Sequence, residues 1–294
     1  MEHESPPQIA VLLTAFNGMR WIDEQVESIF NQEGVSVTIF ISVDLSTDGT
    51  YEWAKGLESK HQNVVLLPYG ERFGGAGPNF IRLIKDAELS DFDAVSFADQ
   101  DDIWLPQKLV TAYAEIESGR CDVYSSNVTA FWADGREVLI NKSQGKRKLD
   151  HFFEAAGPGC TYVFSRCAMQ DFKGFIVKSG EKIKKISLHD WLAYAFICEQ
   201  GYTWYIDDWP SMRYRQHNNN QVGTNNSITA YKKRFVMIKN KWLRSQINMI
   251  VSLVAPEKYV KLNSRIYLIL NFTQLRRSFR DRYFLLAMIL SGIY

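Results

Sequence analysis

Apolar positions in the first half of the chain follow two alternating patterns. Residues 9–16, 35–43, 64–67 and 94–98 form short runs rich in Val, Ile, Leu and Phe, as expected for strands with little solvent contact. Between them, residues 19–31, 50–57, 79–89 and 106–117 carry apolar side chains at helical spacing. Strands alternating with helices of this length predict βαβ units and a mixed, mostly parallel sheet of the α/β class. Further on, residues 121–136 read as strands around an Ala133-Asp134-Gly135 turn. Residues 160–164 read as a strand entered through Gly157-Pro158-Gly159. Residues 189–199 read as a helix packed by Trp191, Leu192, Tyr194 and Phe196.

Ligands on such sheets bind beyond the carboxyl ends of the strands, and the predicted strands end in polar residues there. Thr14, Phe16 and Asn17 close the first; Asp44, Ser46, Asp48 and Gly49 close the second. The fourth runs into Asp99-Gln100-Asp101-Asp102-Ile103-Trp104, three carboxylates in four positions. Packed like charges repel and burial penalises them, so a cation is the natural occupant. Carboxylate oxygens suit Mg2+ or Mn2+, which grip substrate phosphates through one or two such ligands. The competing reading is an acidic helix start, with Asp102 as N-cap of a helix through Lys108 and Leu109.

Five motifs then stand in order: Thr14-Ala15-Phe16-Asn17-Gly18, Asp44-Leu45-Ser46-Thr47-Asp48-Gly49-Thr50, Phe73-Gly74-Gly75-Ala76-Gly77-Pro78-Asn79-Phe80, the acidic cluster, and His189-Asp190-Trp191. As a set they resemble the family 2 glycosyltransferases, inverting enzymes of the GT-A (Rossmann-like) fold that use nucleotide-diphosphate sugars. The resemblance covers about residues 8–222, and Tyr214-Arg215-Gln216-His217-Asn218-Asn219 is similar to bacterial rhamnosyltransferase-like members. It implies Asp190 as the general base and Asp101 as the direct metal ligand. Asp99 would contact ribose or the metal through water, and His217 the metal or diphosphate. Thr14, Phe16, Asn17, Asp44, Asn79, Gln100 and Arg215 would frame the nucleotide sugar. The implied cofactor is Mn2+ or Mg2+. The implied donor is dTDP-L-rhamnose, and the acceptor a saccharide or lipid-linked intermediate of lipopolysaccharide or polysaccharide synthesis.

One departure is visible. The family often has two adjacent acids before glycine, whereas Val43-Asp44-Leu45 carries over Asp44 alone. The glycine-rich segment lacks the Gly-Lys-Ser/Thr element of a P-loop, and Gly74, Gly75 and Gly77 read as room for a ligand or a sharp turn. Plainer readings stand beside these. Asp44 to Thr50 fits a capped turn, Asp190 a helix cap, His217 and Arg215 loop braces, and Trp104 core packing.

With 46% hydrophobic and 23% charged residues, the composition excludes a disordered chain. The near-neutral total conceals an uneven distribution, because residues 226–294 hold 13 Lys and Arg against 2 acids. This tail mixes Trp and Phe with basic positions, fitting amphipathic helices on an anionic membrane surface or helices packed on the catalytic domain. Its most apolar run, residues 283–290, is too short to span a bilayer, and no nucleic-acid recognition module is apparent. The expected division is a catalytic domain over 1–225, with a nucleotide half at about 8–104 and an acceptor half at about 105–225, then the tail at 226–294. Four scattered cysteines and a polar start without a leader pattern favour a reducing cytoplasm, at the inner face of the membrane. Two other classes fit the acids: a metal-dependent nucleotidyltransferase or phosphoesterase, and a non-catalytic carbohydrate- or membrane-binding protein.

Overall fold

The computed structural model describes residues 5–217 and 241–294. The Asn218-Asn219-Asn220 stretch, the expected boundary near 225, and Lys232, Lys233, Arg234, Phe235, Ile238 and Lys239 lie outside the described residues. The first half builds β1 (Gln8–Ala15), α1 (Ile22–Phe30), β2 (Ser36–Val43), α2 (Thr50–Lys60), β3 (Val64–Leu66), α3 (Ala76–Asp86) and β4 (Ala94–Ala98). Then follow β5 (Ile103–Trp104), α4 (Lys108–Glu117), β6 (Val123–Phe131), β7 (Glu137–Ile140), β8 (Val163–Ser165), α5 (Arg166–Ser179), α6 (His189–Glu199) and β9 (Trp204–Arg215). The C-terminal helices are α7 (Trp242–Val254), α8 (Tyr259–Asn263), α9 (Arg265–Leu270) and α10 (Phe279–Ser291).

One sheet runs in the order β3-β2-β1-β4-β8-β6-β9-β5, with β7 paired to β6. Strands β1, β2, β3 and β4 are mutually parallel; β8 and β5 run against their neighbours. β1 lies between β2 and β4 and is buried from Ile9 to Ala15, so its continuous apolar run is what a central parallel strand requires. Register then fixes the site. Thr14 pairs with Ser42, Ala15 with Val43, and Leu13 with Ala98, so the residues after all three strands emerge at one edge.

The second half departs from the pattern in three places. Residues 159–161 form a single 3-10 turn, leaving Val163–Ser165 as strand, and Gly159 sits where a Cβ would crowd His189 and Asp190 of α6. Two elements stand outside the predicted ones: β9, whose mixed polar and aromatic pattern has no clear period, and α5, which buries Ala168, Met169, Phe172 and Ile176 at helical spacing. Asp102 does not cap a helix: α4 begins at Lys108, and residues 103–104 pair with β9 instead. β9 runs parallel to β6 with a register shift near Asn127 and Pro210, where the proline has no N–H to donate.

A single apolar cluster joins α3, α5 and α6 to Ile247, Ile250, Val251, Leu268, Leu285, Met288 and Ile289 of the C-terminal helices. Buried charge adds to this seam. The fully buried Arg277 lies 3.4 Å from Asp150 and 3.6 Å from Glu154, and donates to the Ala155 carbonyl. Lys258 pairs with Glu199, which also bonds His151 Nε2 at 2.8 Å. The C-terminal helices are thus fastened to the half of the domain that carries α6.

Candidate active site

The carboxyl edge of β1, β2 and β4 is organised by backbone amides. Buried Asp44 accepts the Leu45 N–H (2.8 Å) and Phe73 N–H (3.0 Å) on Oδ1, and the Gly74 N–H (2.9 Å) on Oδ2. It therefore folds the glycine-rich segment over the end of β2, helped by Gly74 at φ 81°. Asn79 is buried and both ends of its amide engage Ser42, bracing α3 on β2. Asn17, at φ 47°, donates its N–H to Ser46 Oγ (3.0 Å) and accepts from Thr47 N–H (2.9 Å). Asp48 accepts from Thr50 and from the Met19 N–H, so Asp44 to Thr50 is a hydrogen-bonded cradle. Thr14 is buried at the end of β1 beside it. Phe16 projects outward, and its backbone is clamped by the Gln100 amide at 2.7 and 3.0 Å.

The acidic cluster is held from two sides. From α1, Gln25 Oε1 accepts the Asp102 N–H at 3.0 Å and Ser28 Oγ accepts the Trp104 N–H at 3.0 Å. From β9, the Arg215 N–H donates to Asp102 Oδ1 (3.0 Å) and its Nε to the Asp101 carbonyl (2.7 Å), while its guanidinium pairs with Glu24. His217 follows at once, its Nε2 2.6 Å from Asp101 Oδ2 and its ring stacked on Trp21 at 4.2 Å. The structure therefore brings Asp101, Asp102, Arg215 and His217 into contact, while Asp99 lies with Asp102 and Cys160 and Gln100 clamps Phe16.

Charge in this group is poorly solvated. Burial, then the charges of Asp101 and Asp190, push Asp99 up to about 7. Burial with Asp101 and Asp99 raises Asp102 well above the carboxylate range, and its Oδ2 has no hydrogen-bond donor among the described residues. Donor atoms of Asp99, Asp102 and Cys160 lie within 4.8 Å of one another. Burial lifts the Cys160 thiol far above its ordinary range, so it stays protonated and is a poor ligand for a hard cation. Asp102 Oδ2 without a donor, the carboxylates of Asp99 and Asp101, and the His217 imidazole beside Asp101 are the oxygen and nitrogen donor types a divalent cation takes.

Asp190 stands in the first turn of α6, across from this group. Burial pushes its carboxyl up to about 6, against the Trp191 N–H it accepts at 2.8 Å and the positive charge of Lys142. His189 is stacked on Phe80 at 3.9 Å and burial holds it down to about 3, so it is neutral. A Cβ on Gly159 would stand 3.0 Å from Asp190 Cβ and 3.0 Å from His189 Nε2. A Cβ on Gly77 would stand 2.4 Å from the Ser187 carbonyl. Gly77 is thus a seat for the segment leading into Asp190 rather than room for a ligand.

Residues 10–176 match the family model described as Glycosyl transferase family 2. The chain belongs to that family. It is 41% identical over 289 residues, 96% of this chain and 100% of the relative, to the dTDP-rhamnosyl transferase RfbG of Shigella flexneri. Among solved structures, S. aureus TarS 1–349 in complex with UDP superposes with TM-score 0.58 at 15% identity, covering 90% of this chain and 72% of that one. The mannosyltransferase PcManGT of Pyrobaculum calidifontis, in complex with GDP-Man and Mn2+, gives 0.53 at 15% identity, covering 99% and 81%. The fold is GT-A, and the protein is a family 2 glycosyltransferase.

Several residues of this transferase site carry no local mark in the sequence. Lys108 is wholly buried beneath the acids, its Nζ 3.3 Å from Ser96 Oγ and 3.6 Å from the Trp104 ring centre. Burial draws it down to about 7, while Cys160 and Asp102 favour its charge. Gln25 and Lys142 are equally unmarked, and Gly159 reads only as part of a strand entry. A lone Lys in a helical pattern reads as solvent-facing, and nothing local indicates that it points inward.

Proposed function

We propose that this protein transfers L-rhamnose from dTDP-β-L-rhamnose, with inversion, onto a saccharide or lipid-linked acceptor in bacterial surface polysaccharide synthesis. The 41% identity to a dTDP-rhamnosyl transferase over nearly the whole chain carries the choice of donor. In this reading the Asp44 cradle receives the base. Oδ2 of Asp44 accepts one protein N–H and retains a lone pair for the imide N–H of thymine. Asp101 and His217, with Asp99, would hold a Mn2+ or Mg2+ ion. Bound there, the ion neutralises charge that develops on the departing nucleoside diphosphate.

Asp190 takes the proton of the acceptor hydroxyl as that oxygen bonds to the anomeric carbon. The bond from that carbon to the diphosphate oxygen breaks, and dTDP leaves with the electron pair. Attack opposite the leaving group yields an α-L-rhamnoside. A carboxylate raised to about 6 is a stronger base than a solvated one and is still ionised at neutral pH. The enzyme works at the inner face of the cytoplasmic membrane, where lipid-linked acceptors reside. No helix among the described residues is long and apolar enough to cross a membrane, and the contact proposed there is peripheral.

The test is dTDP release by the purified protein from dTDP-L-rhamnose, against UDP- and GDP-sugars, with Mn2+, Mg2+ or chelator and with rhamnose- or glucose-terminated acceptors. Metal-dependent turnover of dTDP-L-rhamnose alone supports the reading. Turnover of a different donor overturns the sugar, and release of pyrophosphate or phosphate overturns the reaction class.

A further inference from the structure

Helix α10 is apolar on two faces. Leu285, Met288 and Ile289 are buried in the main core, so the inward face is already satisfied. The opposite face carries Phe279, Tyr283 and Leu290, with Phe284 on its flank, and the neighbouring α9 adds Ile266 and Leu270; these six are 48–77% exposed. The two helices lie side by side and antiparallel. Arg265 at the start of α9 donates to the Leu290 carbonyl near the end of α10. Phe272, just after α9, meets Tyr283 edge-on at 5.5 Å. Six large apolar side chains exposed on one helical pair exceed the scattered hydrophobes of an ordinary surface and mark a contact site.

The charge around the patch selects the partner. Residues 241–294 hold nine Lys and Arg against two acids; among them Arg265 and Arg280 are exposed on the same two helices as the patch, and Lys261 is exposed on the preceding α8. Aromatic and aliphatic side chains within a basic rim match an anionic bilayer, where rings enter the interface and cations meet phosphates. A face for self-association would need acidic residues opposite these cations, and the same segment supplies few.

We infer that α9 and α10 form the membrane-docking face of the enzyme: Ile266, Leu270, Phe279, Tyr283, Phe284 and Leu290 enter the interface of an anionic leaflet, and Lys261 and Arg280 contact its headgroups. This rests on the membrane-side placement proposed above and assigns it to a surface. The seam of Arg277 with Asp150 and Glu154 and of Lys258 with Glu199 ties this face to the half of the domain bearing α6. Docking would therefore hold Asp190 at a fixed attitude to a lipid-linked acceptor.

Flotation of the full chain with vesicles of phosphatidylglycerol and phosphatidylcholine in equal parts, against phosphatidylcholine alone, tests the inference without donor or acceptor. The protein should float with the anionic vesicles, less so as salt rises. Leu270→Glu with Phe284→Glu should abolish flotation while dTDP-sugar turnover with a soluble acceptor persists. Lys261→Gln and Arg280→Gln should each lower partitioning about fivefold. Equal binding to neutral vesicles, or flotation retained by the double glutamate variant, overturns it. So does light scattering that shows a dimer in the parent and a monomer in that variant, which would make the face a self-association surface. Flotation without turnover of any donor would fault the proposed reaction and leave the docking face standing.

Discussion

His217 Nε2 lies 2.6 Å from Asp101 Oδ2 across 116 residues of chain. The pairing follows from sheet order. Ile103 and Trp104 lie against Arg213 and Met212 of β9, so the residues leaving β9 pass beside the acids that precede β5. Trp21, the residue just before α1, stacks on the imidazole.

If the pair holds the metal, Asp101→Ala should lower turnover about 10²–10³-fold, the scale for removing a main electrostatic stabiliser. His217→Ala should weaken Mn2+ binding about 10–100-fold. Calorimetric titration of Mn2+ in the presence of dTDP checks both. Unchanged metal affinity in His217→Ala would reduce the residue to a brace for the end of β9.

The raised carboxyl of Asp190 predicts a pH profile. A general base works deprotonated, so kcat/KM should rise with pH and level off above about 6. Asp190→Asn should lose at least about 10²-fold in rate and lose this limb of the profile. The same shift predicts stability. A carboxyl that folds with a higher pKa binds its proton more tightly when folded, so folding loses free energy as pH rises from about 4 to about 6. Asp190→Asn should therefore be more stable than the parent at pH 7, by about 1–3 kcal/mol, and nearly equal to it at pH 4. Denaturant melts at the two pH values measure the difference.

Gly77 and Gly56 should respond oppositely to alanine. The Cβ at Gly77 would meet the Ser187 carbonyl at 2.4 Å, forcing back the segment that enters α6. Gly77→Ala should cost about 1–3 kcal/mol of stability and lower kcat at saturating donor, because Asp190 shifts with that segment. Gly56, within α2, has nothing within 4 Å of its Cβ position. Gly56→Ala should stabilise by about 0.5–1 kcal/mol with activity unchanged. Thermal melts and steady-state kinetics on the two variants separate the effects.

Arg277 is enclosed by Asp150, Glu154 and the Ala155 carbonyl. Removing one partner of a buried ion pair strands the other charges, so Arg277→Met should destabilise by about 3–5 kcal/mol. The C-terminal helices should loosen first, read as early hydrogen exchange across α7 to α10. Uniform exchange throughout the chain would show that the helices and the domain unfold as one unit.

The alternation of apolar runs determined the parallel half of the sheet, because period and length are local properties of a chain. It also marked Asp44, Asp99, Asp101 and Asp190, since carboxylates after buried strands or in the first turn of a buried helix stand out against their neighbours. The acidic cluster, the glycine-rich segment and the basic tail were legible for the same reason. What each residue touches was decided by the tertiary structure. Asp44 folds the glycine segment, Asn79 locks onto Ser42, and Gln100 clamps Phe16 through pairings over long sequence separations. β9 was invisible as a strand because its mixed pattern has no period, yet it brings Arg215 and His217 to the acids. Lys108 reads as an ordinary helix surface lysine until α4 packs it beneath β4. Burial, and with it the raised carboxyls of Asp99 and Asp190, depends on which elements cover a residue, and that is settled by packing across the whole domain.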